Sequence, residues 1–126
     1  MNINIKVTGI ELTPAIRDYV TSKVLSLEKF LSGDIDKDSI IAEVEIGKTT
    51  NHHNSGEDVF IARINLSFSG EFLNIETTEA DLYTAIDIMK DNMAEAIKKV
   101  IKKKNTLFRR GGRLIKRVLH GLKKPK

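Results

Sequence analysis

Asn2–Gly9 alternates along the chain, with Ile3, Ile5 and Val7 on one side and Asn2, Asn4 and Lys6 on the other. A period of two predicts a half-buried strand, which Gly9 closes. The period changes in LTPAIRDYVTSKVLSLEKFL (12–31), where Ile16, Tyr19, Val20, Val24, Leu27 and Leu31 recur every three or four positions. That spacing predicts a helix with one apolar face. Thr13 is placed to cap it and Pro14 to fill its first position, while Arg17, Lys23 and Lys29 lie off the centre of the stripe. SGDIDKD (32–38) is turn chemistry. Alternation then returns three times, in SIIAEVEIG (39–47), VFIARINLSF (59–68) and FLNIETT (72–78). A polar loop over 48–58 and the tight turn SGE separate these strands, and Phe60, Ala62, Ile64, Leu66 and Phe68 share an inward side. A second helix is predicted from TEAD, with Thr78 as N-cap and Asp81 three residues on in a capping-box arrangement. Leu82, Ile86, Met89, Met93, Ile97 and Val100 mark its apolar face to about residue 104.

The resulting order is β-α-β-β-β-α, an α+β fold. Two amphipathic helices need a common apolar surface, and a four-stranded sheet with one greasy face supplies it. The other sheet face then shows Asn, Glu, Ser and Thr to water. The chain contains no internal repeat and no Pro/Ser-rich linker; its composition breaks near Asn105. The organisation predicted is one folded domain over 1–104 and a basic, flexible C-terminal tail over 105–126.

Charge sharpens that boundary. Residues 1–96 hold 8 Lys and Arg against 17 Asp and Glu, a balance of −9, whereas residues 97–126 hold 13 basic residues and no acid. The net charge of +4 therefore hides an acidic body and a basic arm. Such asymmetry points to a polyanionic partner, either nucleic acid or an anionic membrane surface.

Enzyme chemistry finds little footing. The absence of cysteine excludes disulfides, thiolate catalysis and Cys-ligated zinc. His52 and His53 are adjacent in a polar loop and would point to opposite sides of an extended segment, so they read as solvated loop residues. Asp34, Asp36, Asp38 and Glu45 fall at positions 1, 3, 5 and 12 of a calcium-binding loop, but the sixth position, which needs glycine, is Ser39. No phosphate-binding glycine loop, zinc-protease motif or nucleophilic triad is present. The expectation is a protein that is not an enzyme and needs no cofactor or metal. Without an apolar run of membrane-spanning length or a signal peptide, the expected location is the cytoplasm.

The basic arm carries the functional signal. Lys98, Lys99, Lys102, Lys103 and Lys104 load the end of the second helix, with ammoniums about one turn apart. Arg109, Arg110, Arg113 and Arg117 add planar forks suited to phosphate and to exposed bases. Beyond Gly111-Gly112, Leu114, Ile115, Val118, Leu119 and Leu122 form an apolar stripe among basic residues. That pattern leaves three readings open: a specific RNA partner, a general RNA-binding module, or a membrane-surface or protein-docking segment.

The element order, the helix AIRDYVTSKVLSLEKFL and above all EADLYTAIDIMKDNMAEAIKK resemble the ribosome hibernation promoting factors, the family that includes ribosome-associated inhibitor A and the sigma-factor modulation proteins. The resemblance covers residues 1 to about 104, and DLYTAID (81–87) is its most specific element. It implies a fold like that of double-stranded-RNA-binding domains. It also implies a translation inhibitor of stationary phase or stress that occupies the decoding region and mRNA channel of the small ribosomal subunit. The implied partners are the 16S-type rRNA and neighbouring ribosomal proteins, with a monomer off the ribosome and no small-molecule substrate or membrane. Carried over by position, Lys23 and Lys29 match basic positions of the first helix, and Lys99 one of the second. Asn92 and Glu95 stand where the family often has a lysine and an arginine, which shifts the electrostatic burden toward Lys98–Lys104 and the tail. The length resembles that of a short family form with an extension.

Overall fold

The structure, a computed structural model, describes residues 1–31, 35–50 and 58–109. The sequence readings for Asp34, for His52 and His53, and for the tail from Arg110 onward fall outside the described residues. Strand β1 (Asn2–Thr8) leads into helix α1 (Pro14–Leu25), which continues as a 3-10 segment over Ser26–Phe30. Strands β2 (Ile41–Thr50), β3 (Asp58–Phe68) and β4 (Glu71–Glu79) follow, and helix α2 (Leu82–Arg109) closes the domain. The sheet order is β1-β2-β3-β4. β1 and β2 are parallel, as the α1 crossover between them requires, and the other two pairs are antiparallel. The α+β fold read from the pattern is the fold observed.

Both helices pack on one face of this sheet. Val20, Val24, Leu27 and Leu31 meet Ala42, Val44 and Ile46 from β2, Ala62, Ile64, Leu66 and Phe68 from β3, and Ile86, Met89, Met93 and Ile97 from α2; all are buried. These are the positions that the two periodicities mark. Between β3 and β4, Ser69 and Gly70 both take positive φ, 47° and 79°. A two-residue turn of this hand matches the strand twist, and glycine is its natural second residue.

Four element boundaries differ from the sequence reading. β2 begins at Ile41, after a 3-10 turn over Lys37–Ser39, and runs to Thr50, three residues into the segment read as loop, because Lys48, Thr49 and Thr50 pair with Phe60, Val59 and Asp58. The first helix is not one α-helix over 12–31. Ser26 ends it: the Ser26 hydroxyl donates to the Lys23 carbonyl at 2.5 Å, and the chain tightens into 3-10 geometry. Leu27 and Leu31 still reach the core. Thr13 caps α1 as expected, its hydroxyl oxygen accepting from Ile16 N–H at 3.2 Å. Thr78, however, does not cap α2. It is paired with Ile61 in β4, and Asp81 is the cap, accepting from Thr84 N–H at 2.9 Å and from the Thr84 hydroxyl at 3.0 Å. Finally, α2 runs through Asn105 to Arg109 instead of ending near 104. Lysine is a good helix former, and cations near a helix C-terminus are favoured by its dipole, so the change in charge does not break the helix.

Candidate nucleic-acid interface

The DLYTAID segment joins three elements, and almost every residue in it has a structural task. Asp81 caps α2, Leu82 and Ile86 are buried, and the Ala85 carbonyl accepts from the buried Thr77 hydroxyl of β4 at 2.8 Å. Tyr83 meets Tyr19 of α1 edge to face, with centroids 4.7 Å apart. Asp87 accepts a hydrogen bond from the Tyr19 hydroxyl at 2.5 Å and an ion pair from Lys23 at 3.3 Å. Lys23 also lies 5.4 Å from the centre of the Tyr19 ring. The hydrogen bond to Asp87, together with burial and the nearby carboxylate charge, pushes the Tyr19 phenol up to about 12. This cluster fastens α1 to α2.

Its consequence for the basic positions is direct. Lys23 is committed to Asp87 and Tyr19 rather than projecting freely. Lys104 is paired with Glu71 at the start of β4, 3.4 Å away, and ties the helix to the sheet. Lys29 and Lys98 come together from different elements on the ring of Phe30, at 5.2 and 4.9 Å from its centre. A cation over an aromatic face is held by the ring's quadrupole, so Phe30 gathers two ammoniums that are far apart in sequence. Lys98 is shared with Glu95, 3.1 Å away. Lys99, Lys102 and Lys103 are exposed and, among the described residues, enter no ion pair. Together with Lys29 and Lys98 they form a cationic strip along the outer side of the helices. Arg109 is the last residue of α2; Arg110, Arg113 and Arg117 lie outside the described residues.

Sequence reasoning missed Phe30, Tyr19 and Asp87 as members of this surface. Tyr19 and Asp87 are separated by 68 positions, so no local spacing signals their contact. The fold alone brings them together.

The opposite face of the sheet has a different character. Registers place Lys6, Glu45, Arg63 and Glu76 in one row across all four strands, alternating in sign. Arg63 donates to Glu45 at 2.9 Å and to Glu76 at 3.2 Å, and the Thr8 hydroxyl donates to Glu45 at 3.2 Å. Those carboxylates, Glu76 foremost, raise the Arg63 guanidinium still further. Glu45, the twelfth position of the calcium-loop pattern, is thus engaged in the middle of β2. A neighbouring row brings Asn65 and Asn74 into side-chain contact beside Glu43. In these rows Lys6 and Arg63 stand against Glu43, Glu45 and Glu76, whereas on the outer side of the helices exposed lysines predominate.

Fold and surface define the class: a small α+β domain with surplus ammoniums along the outer side of its helices. Comparison with known proteins narrows the class to a family. The chain belongs to the family described as Sigma 54 modulation protein / S30EA ribosomal protein, which it matches over residues 3–105. It is 33% identical over 113 residues to the ribosome hibernation promotion factor of Bacillus subtilis, covering 89% of this chain but only 54% of that protein. The chain therefore spans about half the length of that relative. It is 34% identical over 99 residues to the ribosome hibernation promoting factor of Klebsiella oxytoca, covering 79% of this chain and 92% of the relative. Among solved structures, the Protein Y N-terminal domain of Thermus thermophilus aligns with a TM-score of 0.64 and 29% identity, over 79% of this chain and 99% of that one. A ribosomal subunit interface protein from Coxiella burnetii shares the fold with a TM-score of 0.58, 18% identity, and coverage of 81% of this chain and 99% of its own.

Proposed function

We propose that this chain is a ribosome hibernation factor: it binds the small ribosomal subunit at the decoding region and mRNA channel and inhibits translation in stress or stationary phase. The observation that carries this reading is the cationic strip of Lys29, Lys98, Lys99, Lys102 and Lys103, exposed on one side of a domain whose other face carries an alternating row of cations and carboxylates. RNA walls a channel with phosphate, and ammoniums in this arrangement can neutralise several phosphates at once. Family membership and the names of the relatives support a ribosomal partner. Lys23 is assigned to holding the helices together, and rRNA contact to the strip and to Arg109, Arg110, Arg113 and Arg117. The protein acts in the cytoplasm, as a binder and not as a catalyst.

The test is co-sedimentation of the full chain with purified small subunits, with and without bound message and initiator tRNA. Competition by message and tRNA is the expected result. Simultaneous binding would move the site away from the decoding region. Displacement by bulk duplex RNA as readily as by small subunits would reduce the protein to a general RNA-binding module.

A further inference from the structure

The apolar stripe of the tail, Leu114, Ile115, Val118, Leu119 and Leu122, has no role in an electrostatic RNA contact. The open face of the sheet holds a surface that suits it. Registers place Ile41, Ser67 and Phe72 in one row at the end of the sheet. Phe72 is 80% exposed and Ile41 39%, and together they account for half of the large exposed hydrophobic residues among those described. The small Ser67 side chain stands between them in this row. The next row contributes Glu43, which among the described residues has no ion pair or hydrogen bond. Single exposed apolar residues are ordinary; two flanking a small residue beside an unpaired carboxylate make a surface with a defined complement.

The path of the chain leads to this row. β4 runs away from it and α2 runs back, so that Lys104 meets Glu71, the residue preceding Phe72. Five further helical residues carry the chain to Arg109, about 7 Å beyond that contact. Residues 110–126 then hold seven Lys and Arg, no acid, and the unexplained stripe. Seventeen residues reach up to about 55 Å when extended, far more than the thickness of one sheet. Arg110, Gly111 and Gly112 precede the stripe and can turn the chain around the β3–β4 end.

We propose that the Ile41–Ser67–Phe72 row is the docking surface for residues 113–122 of the same chain. In the protein off the ribosome the stripe covers Phe72 and Ile41 and the flanking basic residues neighbour Glu43; release of the segment is what frees Arg113 and Arg117 for rRNA. The contact leaves the lysine strip uncovered, because that strip lies on the opposite side of the domain, and it does not depend on the ribosomal reading.

The chain contains no cysteine, so L119C gives a full-length protein with one site for a nitroxide spin label. Amide signals of Ile41, Ser67 and Phe72 should lose most of their intensity to paramagnetic broadening, while those of Arg17 and Ser22 on α1 keep theirs. Phe72→Ser, with an unchanged thermal melt, should restore the intensity. Broadening confined to the end of α2, or loss of intensity equal on both faces, overturns the proposal. Broadening that appears only when labelled and isotope-enriched molecules are mixed also overturns it, since the occupant would then be a second copy.

Discussion

The lysines of the helix face divide into committed and free, and that division predicts unequal effects on RNA binding. Lys23 and Lys104 are held by Asp87 and Glu71, whereas Lys99, Lys102 and Lys103 have no partner among the described residues. Each phosphate neutralised by a protein cation lowers the slope of log affinity against log salt by roughly 0.7 to 0.9. Changing Lys99, Lys102 and Lys103 together to alanine should therefore flatten the slope by about 2 to 3. At about 0.1 M salt the same relation corresponds to a loss of roughly two orders of magnitude or slightly more in affinity. Lys23→Met and Lys104→Met should leave the slope within about half a contact of the parent. The assay is small-subunit binding by filter retention or sedimentation across a salt series, with helical content checked by circular dichroism. A triple variant with the parental slope would refute the assignment. So would a Lys23→Met variant that loses as much as one free lysine, because Lys23 would then leave Asp87 to meet phosphate.

The remaining expectations concern the helix seam and the cap. Tyr19 has its phenol raised to about 12 by Asp87, above an unfolded value near 10. A proton held more tightly in the folded state means that the contribution of this contact is complete below about pH 10 and is lost as pH rises toward 12. Urea unfolding across that range should show the loss in the parent and a flatter profile in Tyr19→Phe, which should also be less stable at neutral pH by about 1 kcal/mol. Asp81→Ala removes the α2 cap and should cost about 1 kcal/mol. Thr78→Ala, at an exposed strand position, should cost less than half of that, and equal losses in chemical denaturation would return the cap to Thr78.

How much of this was legible in the sequence depends on whether the relevant partner is near in the chain. The strands read clearly because one sheet face is buried and the other wet, so alternation survives in every strand from Ile3 to Ile75. Thr13 and Pro14 read clearly because a cap is a local device. The second cap was misplaced because Thr78 and Asp81 fit a capping spacing as well as Asp81 and Thr84 do. Pairing of Thr78 with Ile61, and burial of Thr77 against Ala85, keep the chain in the strand for longer. The helix end was read near 104, where composition changes, but composition does not stop a helix and α2 runs on to Arg109. Individual lysines could be found by composition, but their partners could not. Asp87, Glu71 and the Phe30 ring reach Lys23, Lys104 and Lys98 only through tertiary packing. The candidate site was visible as a quantity of charge, and the fold decided which of that charge is free.

On the function proposed, that sorting also explains how an acidic body would serve a polyanion. The 17 carboxylates of residues 1–96 would repel RNA if they acted as a single charge at a distance. Many are spent locally: Glu45 and Glu76 on Arg63, Asp87 on Lys23, Glu71 on Lys104, and Glu95 on Lys98. The first two lie on the sheet's open face, separated from the lysine strip by the sheet and a layer of helix. Helix and sheet layers pack about 10 Å apart, which is already near the screening length of about 8 Å at physiological salt. RNA meeting the helices would therefore respond chiefly to the nearest ammoniums, with the acids behind them largely screened. The acids nearest the strip do matter: Glu95 holds Lys98 on one side while Phe30 holds it on the other. Net charge is a poor guide to the partner of such a domain; the unpaired charge on each face is the better one.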